Sequence, residues 1–203
     1  MHNNEINNGL LFVISGPSGT GKGTVCSELL KNDNIYPSVS ATTRDIRPGE
    51  VDGVTYTYLS KSEFEELIEK DEMLEYATFH GNYYGTPKRN VEKSLNEGKN
   101  VLLEIEIQGA LKVKEQFAEA VMIYLIPPSL KELYNRLVMR GRESDEQIRE
   151  RMDITKQELC SALKYDHIIV NDDLDKCVSD VLALIEQQVN NKNKIIKLLN
   201  ENY

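Results

Sequence analysis

Apolar residues fall along this chain in two rhythms. Near-continuous runs at 10–15 (LLFVIS), 101–106 (VLLEIE), 120–126 (AVMIYLI) and 167–170 (HIIV) are short and rich in β-branched residues. Such runs predict strands buried on both faces, as in a parallel sheet. Elsewhere apolar residues recur every three or four positions behind helix-start signals. Ser60 with Glu63 precedes Phe64, Leu67 and Ile68. Ser129 with Glu132 follows Pro127 and Pro128 and precedes Leu133 and Leu137. Ser144 with Gln147 precedes Ile148, Met152 and Leu159. Each pair has the form of a capping box, in which the serine accepts a backbone N–H and the longer side chain reaches back. Leu174, Cys177, Val178, Val181, Leu182, Ile185 and Val189 lie on one face of a last helix. Strands alternating with helices predict an α/β sandwich with a parallel central sheet.

The rhythm breaks twice. From about 37 to 89 the chain is rich in Tyr, Thr, Gly and charge, with strand-like pieces such as VTYTYL and MLEYATF. That composition predicts a small mixed α/β insertion. Residues 140–147 (RGRESDEQ) are polar and charged between two helices and suit a moving lid. The expected division is a core of 9–36, 90–126 and 148–203, an insertion at 37–89 and a helical lid region at 127–147.

Composition narrows the partners. The 203 residues include 24 basic and 33 acidic ones, a net charge of −9. That balance is a poor match for nucleic acid, whose binding rests on neutralising phosphates. No apolar run approaches the ~20 residues of a membrane span, and the opening MHNNEINN lacks the basic and apolar parts of a signal peptide. Cys26, Cys160 and Cys177 are scattered with no CxxC pair, which suggests reduced thiols in a cytoplasmic protein. His2, His80 and His167 are scattered too. The pattern implies no oligomeric state.

The first candidate chemistry follows the first strand directly, in GPSGTGKGT at 16–24. Gly16, Gly19 and Gly21 let the backbone turn tightly and bring its N–H groups to an anion, with Pro17, Ser18 and Thr20 between them. A helix starting near Lys22 adds its positive dipole end, and Lys22 adds a full charge for the β- and γ-phosphates. The strand–loop–helix setting sets this apart from a bare glycine-rich turn. Where the usual pattern has Ser or Thr after the lysine, this chain has Gly23, and the hydroxyl comes at Thr24. Mg²⁺ contact would then run through water or through Thr24. The DxxG and NKxD elements of a GTPase are absent, which leaves a small-molecule kinase.

The insertion offers an acceptor site. SVSATTRDIRPGEVDGVTY (38–56) places Arg44 and Arg47 three apart, with hydroxyls from Ser40, Thr42, Thr43 and Tyr56. Arginine's planar fork suits phosphate oxygens. GNYYGTP (81–87) adds Tyr83, Tyr84 and Thr86, read here as a glycine-bounded turn. Glu75 interrupts an apolar strand, and Glu104 and Glu106 stand at a strand's C-terminal end, the edge where α/β sheets bind ligands. Guanine presents N1–H and N2–H₂ donors side by side, which one carboxylate can accept. Adenine lacks that donor face, so AMP would leave Glu75 and Glu106 unpaired. The alternative is that these carboxylates pair with Arg44 or Lys88 and hold the insertion together. Arg136 and Arg140, four apart on one helix face, and Arg151 suit phosphates. Their alternative is a solvated surface paired with Glu143, Asp145 and Glu146.

Taken in order, GPSGTGKGT, SVSATTRDIRPGEVDGVTY, EYATFHGNYYGTP, LEIEIQGA, PPSLKELYNRLVMRGRES and VNDDLD resemble the guanylate kinase family over nearly the whole chain. The resemblance implies a P-loop three-layer sandwich and the reaction ATP + GMP ⇌ ADP + GDP, with Mg²⁺ accompanying ATP. It implies Gly16 to Thr24 for ATP and Asn171 near the adenine. It gives the GMP phosphate to Arg44, Arg47, Tyr56 and Tyr84, and the guanine to Ser40, Glu75, Thr86 and Glu106. Lys22, Arg44, Arg136, Arg140 and Arg151 would carry catalysis, the last three with lid closure. Glu106 stands where Asp is frequent, and Thr86 where Ser is frequent. Both keep their functional group, though Glu106 reaches further. One rival is a P-loop kinase for AMP or UMP, which the paired carboxylates oppose. The other is a silent binding module of scaffold proteins, and those typically lack an intact phosphate loop.

Overall fold

The computed structural model describes residues 8–79, 81–141 and 144–202. Along the chain come β1 (Leu11–Ser15), α1 (Lys22–Leu29), β2 (Ile35–Pro37), β3 (Ala41–Thr42), β4 (Thr57–Tyr58), α2 (Lys61–Glu69) and β5 (Met73–Phe79). There follow β6 (Asn82–Pro87), α3 (Lys88–Asn96), β7 (Asn100–Glu104), α4 (Ile107–Gln116), β8 (Val121–Ile126) and α5 (Leu130–Arg140). The chain closes with α6 (Asp145–Glu158), a 3-10 helix (Leu159–Lys164), β9 (His167–Val170) and α7 (Leu174–Asn202).

Five parallel strands form the main sheet in the order β2–β7–β1–β8–β9. Period-two alternation sends successive side chains of β1 into different layers. Leu11 and Val13 pack with Val91, Val113 and Ala110 from α3 and α4. Phe12 and Ile14 pack with Val25 and Leu29 of α1 and with Cys177, Val181 and Ile185 of α7. A sheet covered on both faces explains why its strands read as continuous apolar runs. It also makes the expected three layers.

The second sheet runs β4–β3–β6–β5 and is mixed, since β3 and β4 are parallel and the other pairs antiparallel. Phe64 of α2 seals it from below, stacked on Tyr83 with ring centroids 5.1 Å apart. Lys114 and Asp166 clip the far end of the main sheet at 3.1 Å.

Four expectations need correction. Residues 81–87 are not a turn: Asn82–Pro87 is a full strand paired along β5. Gly81, with φ 79°, makes the reversal, and Gly85 lies inside the strand, where a β-carbon would meet the Glu75 carbonyl at 2.5 Å. VTYTYL shrinks to the two residues of β4. The run at 167–170 is only half buried. As an edge strand, β9 pairs with β8 alone, and Ile168 and Val170 are each 48% exposed. Of the three capping boxes, those at Ser60 and Ser144 are complete. At Ser129 the serine caps, but Glu132 turns to Arg136 instead.

Candidate functional site

The main sheet delivers β1, β7 and β8 to a common C-terminal edge, and the glycine-rich loop leaves that edge from β1 into α1. Gly21 sits at the helix N-cap with φ 89°, a conformation that L side chains resist. A β-carbon there would also lie 2.6 Å from the Asn171 amide nitrogen. Lys22 is buried and donates to the carbonyls of Gly16 at 2.6 Å and Pro17 at 3.3 Å. The Thr20 hydroxyl donates to the Pro17 carbonyl at 2.8 Å.

The loop is braced from outside. Asn171, buried just after β9, donates from its side-chain amide to the Thr20 carbonyl at 2.7 Å. Arg151 of α6 donates to the Ser18 hydroxyl at 2.8 Å. Arg136 of α5 donates to the Asn171 carbonyl at 2.8 Å and pairs with Glu132 at 3.1 Å. Leu133 and Leu137, both fully buried, pack under Gly19. Two of the three predicted phosphate arginines therefore converge on the loop's rim. The third, Arg140, ends α5, and its side chain lies outside the described residues, as do Arg142 and Glu143.

Carboxylates face the lysine from the next strand. Glu106 Oε1 is 3.8 Å from Lys22 Nζ, on an exposed side chain. A β-carbon on Gly23 would lie 3.4 Å from Glu104 Oε1, so Glu104 fronts the position that lacks the usual hydroxyl. Burial pushes the Glu104 carboxyl up, while Lys22 pulls it down. Thr24 is exposed in the first turn of α1. These oxygen donors suit a hard divalent cation held mainly by phosphates. Among the described residues no three His, Cys, Asp or Glu side chains form a metal-binding group.

The second sheet gathers most of the residues predicted for the acceptor. The Arg44 guanidinium lies between the rings of Tyr56 and Tyr58, at 5.3 and 5.7 Å from their centroids. It donates to both oxygens of Glu50, at 2.7 and 2.5 Å. Glu50 also accepts from the Tyr58 hydroxyl at 2.7 Å and the Arg47 backbone N–H at 2.8 Å. The bond from Arg44 holds the Glu50 carboxyl down at about 2. Tyr56 and Tyr84 meet edge to face at 6.2 Å. Arg44, Arg47, Tyr84 and Asn82 line a cavity of about 430 Å³.

Glu75 and Thr86 face each other across β5 and β6, and the Thr86 hydroxyl donates to Glu75 Oε1 at 2.8 Å. Burial pushes the Glu75 carboxyl up, opposed by the Thr86 bond and by Lys112. Neither Glu75 nor Glu106 takes the alternative partners: Arg44 pairs with Glu50, and Lys88 with Asp71 at 2.7 Å. Glu106 is the N-cap residue of α4, and Glu75 lies against Gly109 in that helix's first turn. Both residues therefore stand near the start of α4. Ser40 is half-buried beside β3, its carbonyl accepting from Thr57 at 2.8 Å.

Sequence reasoning missed Glu50 and the bracing role of Asn171. The signal for Glu50 was a carboxylate three residues from Arg47 and six from Arg44, across a Pro-Gly turn. Asn171 gave none, because its partner lies 151 positions away.

The guanylate kinase family model matches residues 8–188. A guanylate kinase of Halalkalibacterium halodurans is 50% identical over 194 residues, covering 95% of each chain. One of Clostridioides difficile is 49% identical over 196 residues, covering 96% of this chain and 94% of that one. The crystal structure of guanylate kinase from Anaplasma phagocytophilum superposes with a TM-score of 0.69 at 34% identity, covering 89% of this chain and 86% of that one. Likeness in sequence and shape thus extends well beyond the phosphate loop, over both sheets and most of the chain, and the chain belongs to the guanylate kinase family.

Proposed function

We propose that this chain transfers the γ-phosphate of ATP to GMP, giving ADP and GDP for guanine nucleotide supply. One observation carries the residue-level reading: a half-buried Glu75 held by buried Thr86, matched to guanine's donor face, stands at the same helix turn as Glu106, which lies 3.8 Å from the phosphate-loop lysine. Phosphoryl transfer asks mainly for positioning and charge neutralisation. Residues 16–24 cradle the ATP phosphates, with Lys22 on the β- and γ-groups and Asn171 bordering the adenine. Arg44, Arg47, Tyr56 and Tyr84 seat the GMP phosphate, while Ser40, Glu75, Thr86 and Glu106 receive its guanine.

A phosphate oxygen of GMP attacks the γ-phosphorus in line, and ADP leaves with the bonding electrons. Arg136, Arg140 and Arg151 neutralise the transferring group as the 127–147 region closes and excludes water. Residues 37–89 present the acceptor, and the remaining core presents ATP. Mg²⁺, when bound with ATP, neutralises phosphate charge; Thr24 and Glu104 offer it oxygens. No helix among the described residues is long and apolar enough to cross a membrane. The free cysteines Cys26, Cys160 and Cys177 suit a reducing cytoplasm.

ADP release with ATP and Mg²⁺ should be compared for GMP, dGMP, AMP, UMP and CMP. Turnover with GMP and little with AMP is expected. Preference for another nucleotide would keep the kinase and refute the guanine roles of Glu75 and Glu106. No acceptor-dependent turnover in folded protein would point to a binding module.

A further inference from the structure

Position 109 holds a glycine that the backbone does not require. It lies in the first turn of α4, and its φ is not among the left-handed ones. Glycine is the poorest helix former after proline, so a helix keeps one only for another reason. Here the reason is space. A β-carbon at 109 would lie 2.9 Å from Glu75 Oε2, 3.2 Å from its Cγ and 3.3 Å from its Cδ. All three nearest atoms belong to that one side chain, which crosses from the second sheet.

The carboxylate is therefore located from two sides. Thr86 holds Oε1 by a 2.8 Å hydrogen bond, and the bare Cα of Gly109 lets Oε2 settle onto the helix. The positive end of α4 favours an anion there, and no side chain caps that end. We propose that Gly109 is a specificity-determining positioning residue. By lacking a β-carbon it seats the Glu75 carboxylate where both guanine donors, N1–H and N2–H₂, can reach it. The inference rests on the GMP reading above and adds what sets its selectivity.

A side chain at 109 displaces the carboxylate rather than the helix, because Glu75 ends in rotatable bonds. The informative ligand pair is GMP and IMP, since hypoxanthine keeps N1–H and lacks the 2-amino group. Gly109→Ala should bind GMP about tenfold more weakly, a loss of about 1.4 kcal/mol. IMP should lose less, so the GMP-to-IMP ratio shrinks. ATP affinity should hold. Melting temperature should hold or rise, since alanine favours a helix over glycine. Combined with Glu75→Ala, the Gly109→Ala change should cost GMP nothing further. Thr86→Val, which loosens the same carboxylate from the other side, should shrink the ratio too.

Affinities are read by direct titration without ATP, so a chain that binds GMP but transfers nothing would still decide the matter. Equal losses for GMP and IMP would overturn the inference. So would a loss that persists in the Glu75→Ala background, or a clearly lowered melting temperature, which would put the clash on the helix.

Discussion

Two carboxylates in this site are driven in opposite directions by their surroundings, and each has a pH consequence. Glu75 is pushed up by burial, so acid protonates it sooner than an ordinary glutamate. In its proposed role, only the ionised form of Glu75 can accept two guanine donors. GMP affinity should therefore fall on acidification, beginning above the usual carboxylate range, and Glu75→Gln should remove that limb; a KM-versus-pH series on both proteins checks it. Glu50 goes the other way, from 4.5 to about 2, because Arg44 bonds its charged form. Its contribution to stability is complete above pH 4.5 and is lost as pH falls towards 2. Melting temperatures of wild type and Glu50→Gln should thus differ by a constant amount above pH 4.5 and converge below it. Equal spacing at every pH would refute this.

At the scale of elements, α5 is the support of the phosphate loop. Leu133 and Leu137 fill the space under Gly19, and Arg136 holds the segment that carries Asn171. Leu137→Ala should cost about 2–5 kcal/mol of stability and should weaken ATP more than GMP, which denaturant melts and paired titrations measure. Loss of stability with both affinities intact would show that the loop does not lean on this helix. The same scale shows what the sequence made legible. β1 and β8 were readable because burial on both faces leaves little choice of residue type, and α2 and α6 because their caps are local chemistry. β2 was not: it is three residues ending in proline, and pairing with β7 alone defines it. β6 was missed because Gly81 and Gly85 look alike in sequence, while one turns the chain and the other only makes room for a neighbouring strand. Most site residues were legible by chemical type. Their partners were not, because pairs such as Ser18 with Arg151 are set by tertiary approach.

For the whole molecule, the second sheet, proposed to seat the acceptor, is organised by its own contacts. Glu50 fixes Arg44, Thr86 fixes Glu75, and Phe64 with Tyr83 holds the sheet together. GMP should therefore bind and stabilise the protein with no ATP present. At a concentration of 100 times its Kd the gain should be about 2.7 kcal/mol, visible as a higher melting temperature, and AMP should give far less. An effect that appears only with ATP would mean that the donor side builds the acceptor side. The strand order has a further result, for how the molecule comes into being. β1 leaves the ribosome ahead of its sheet partners, since its places are against Val101 through Leu11 and against Val121 through Phe12. Domains tend to form as units during synthesis, and such distant pairings are slow to close. A nascent chain cut short before β8 carries the whole glycine-rich sequence without the sheet edge that shapes it. Nucleotide binding is then acquired only after β8 has emerged, long after its own signature was translated.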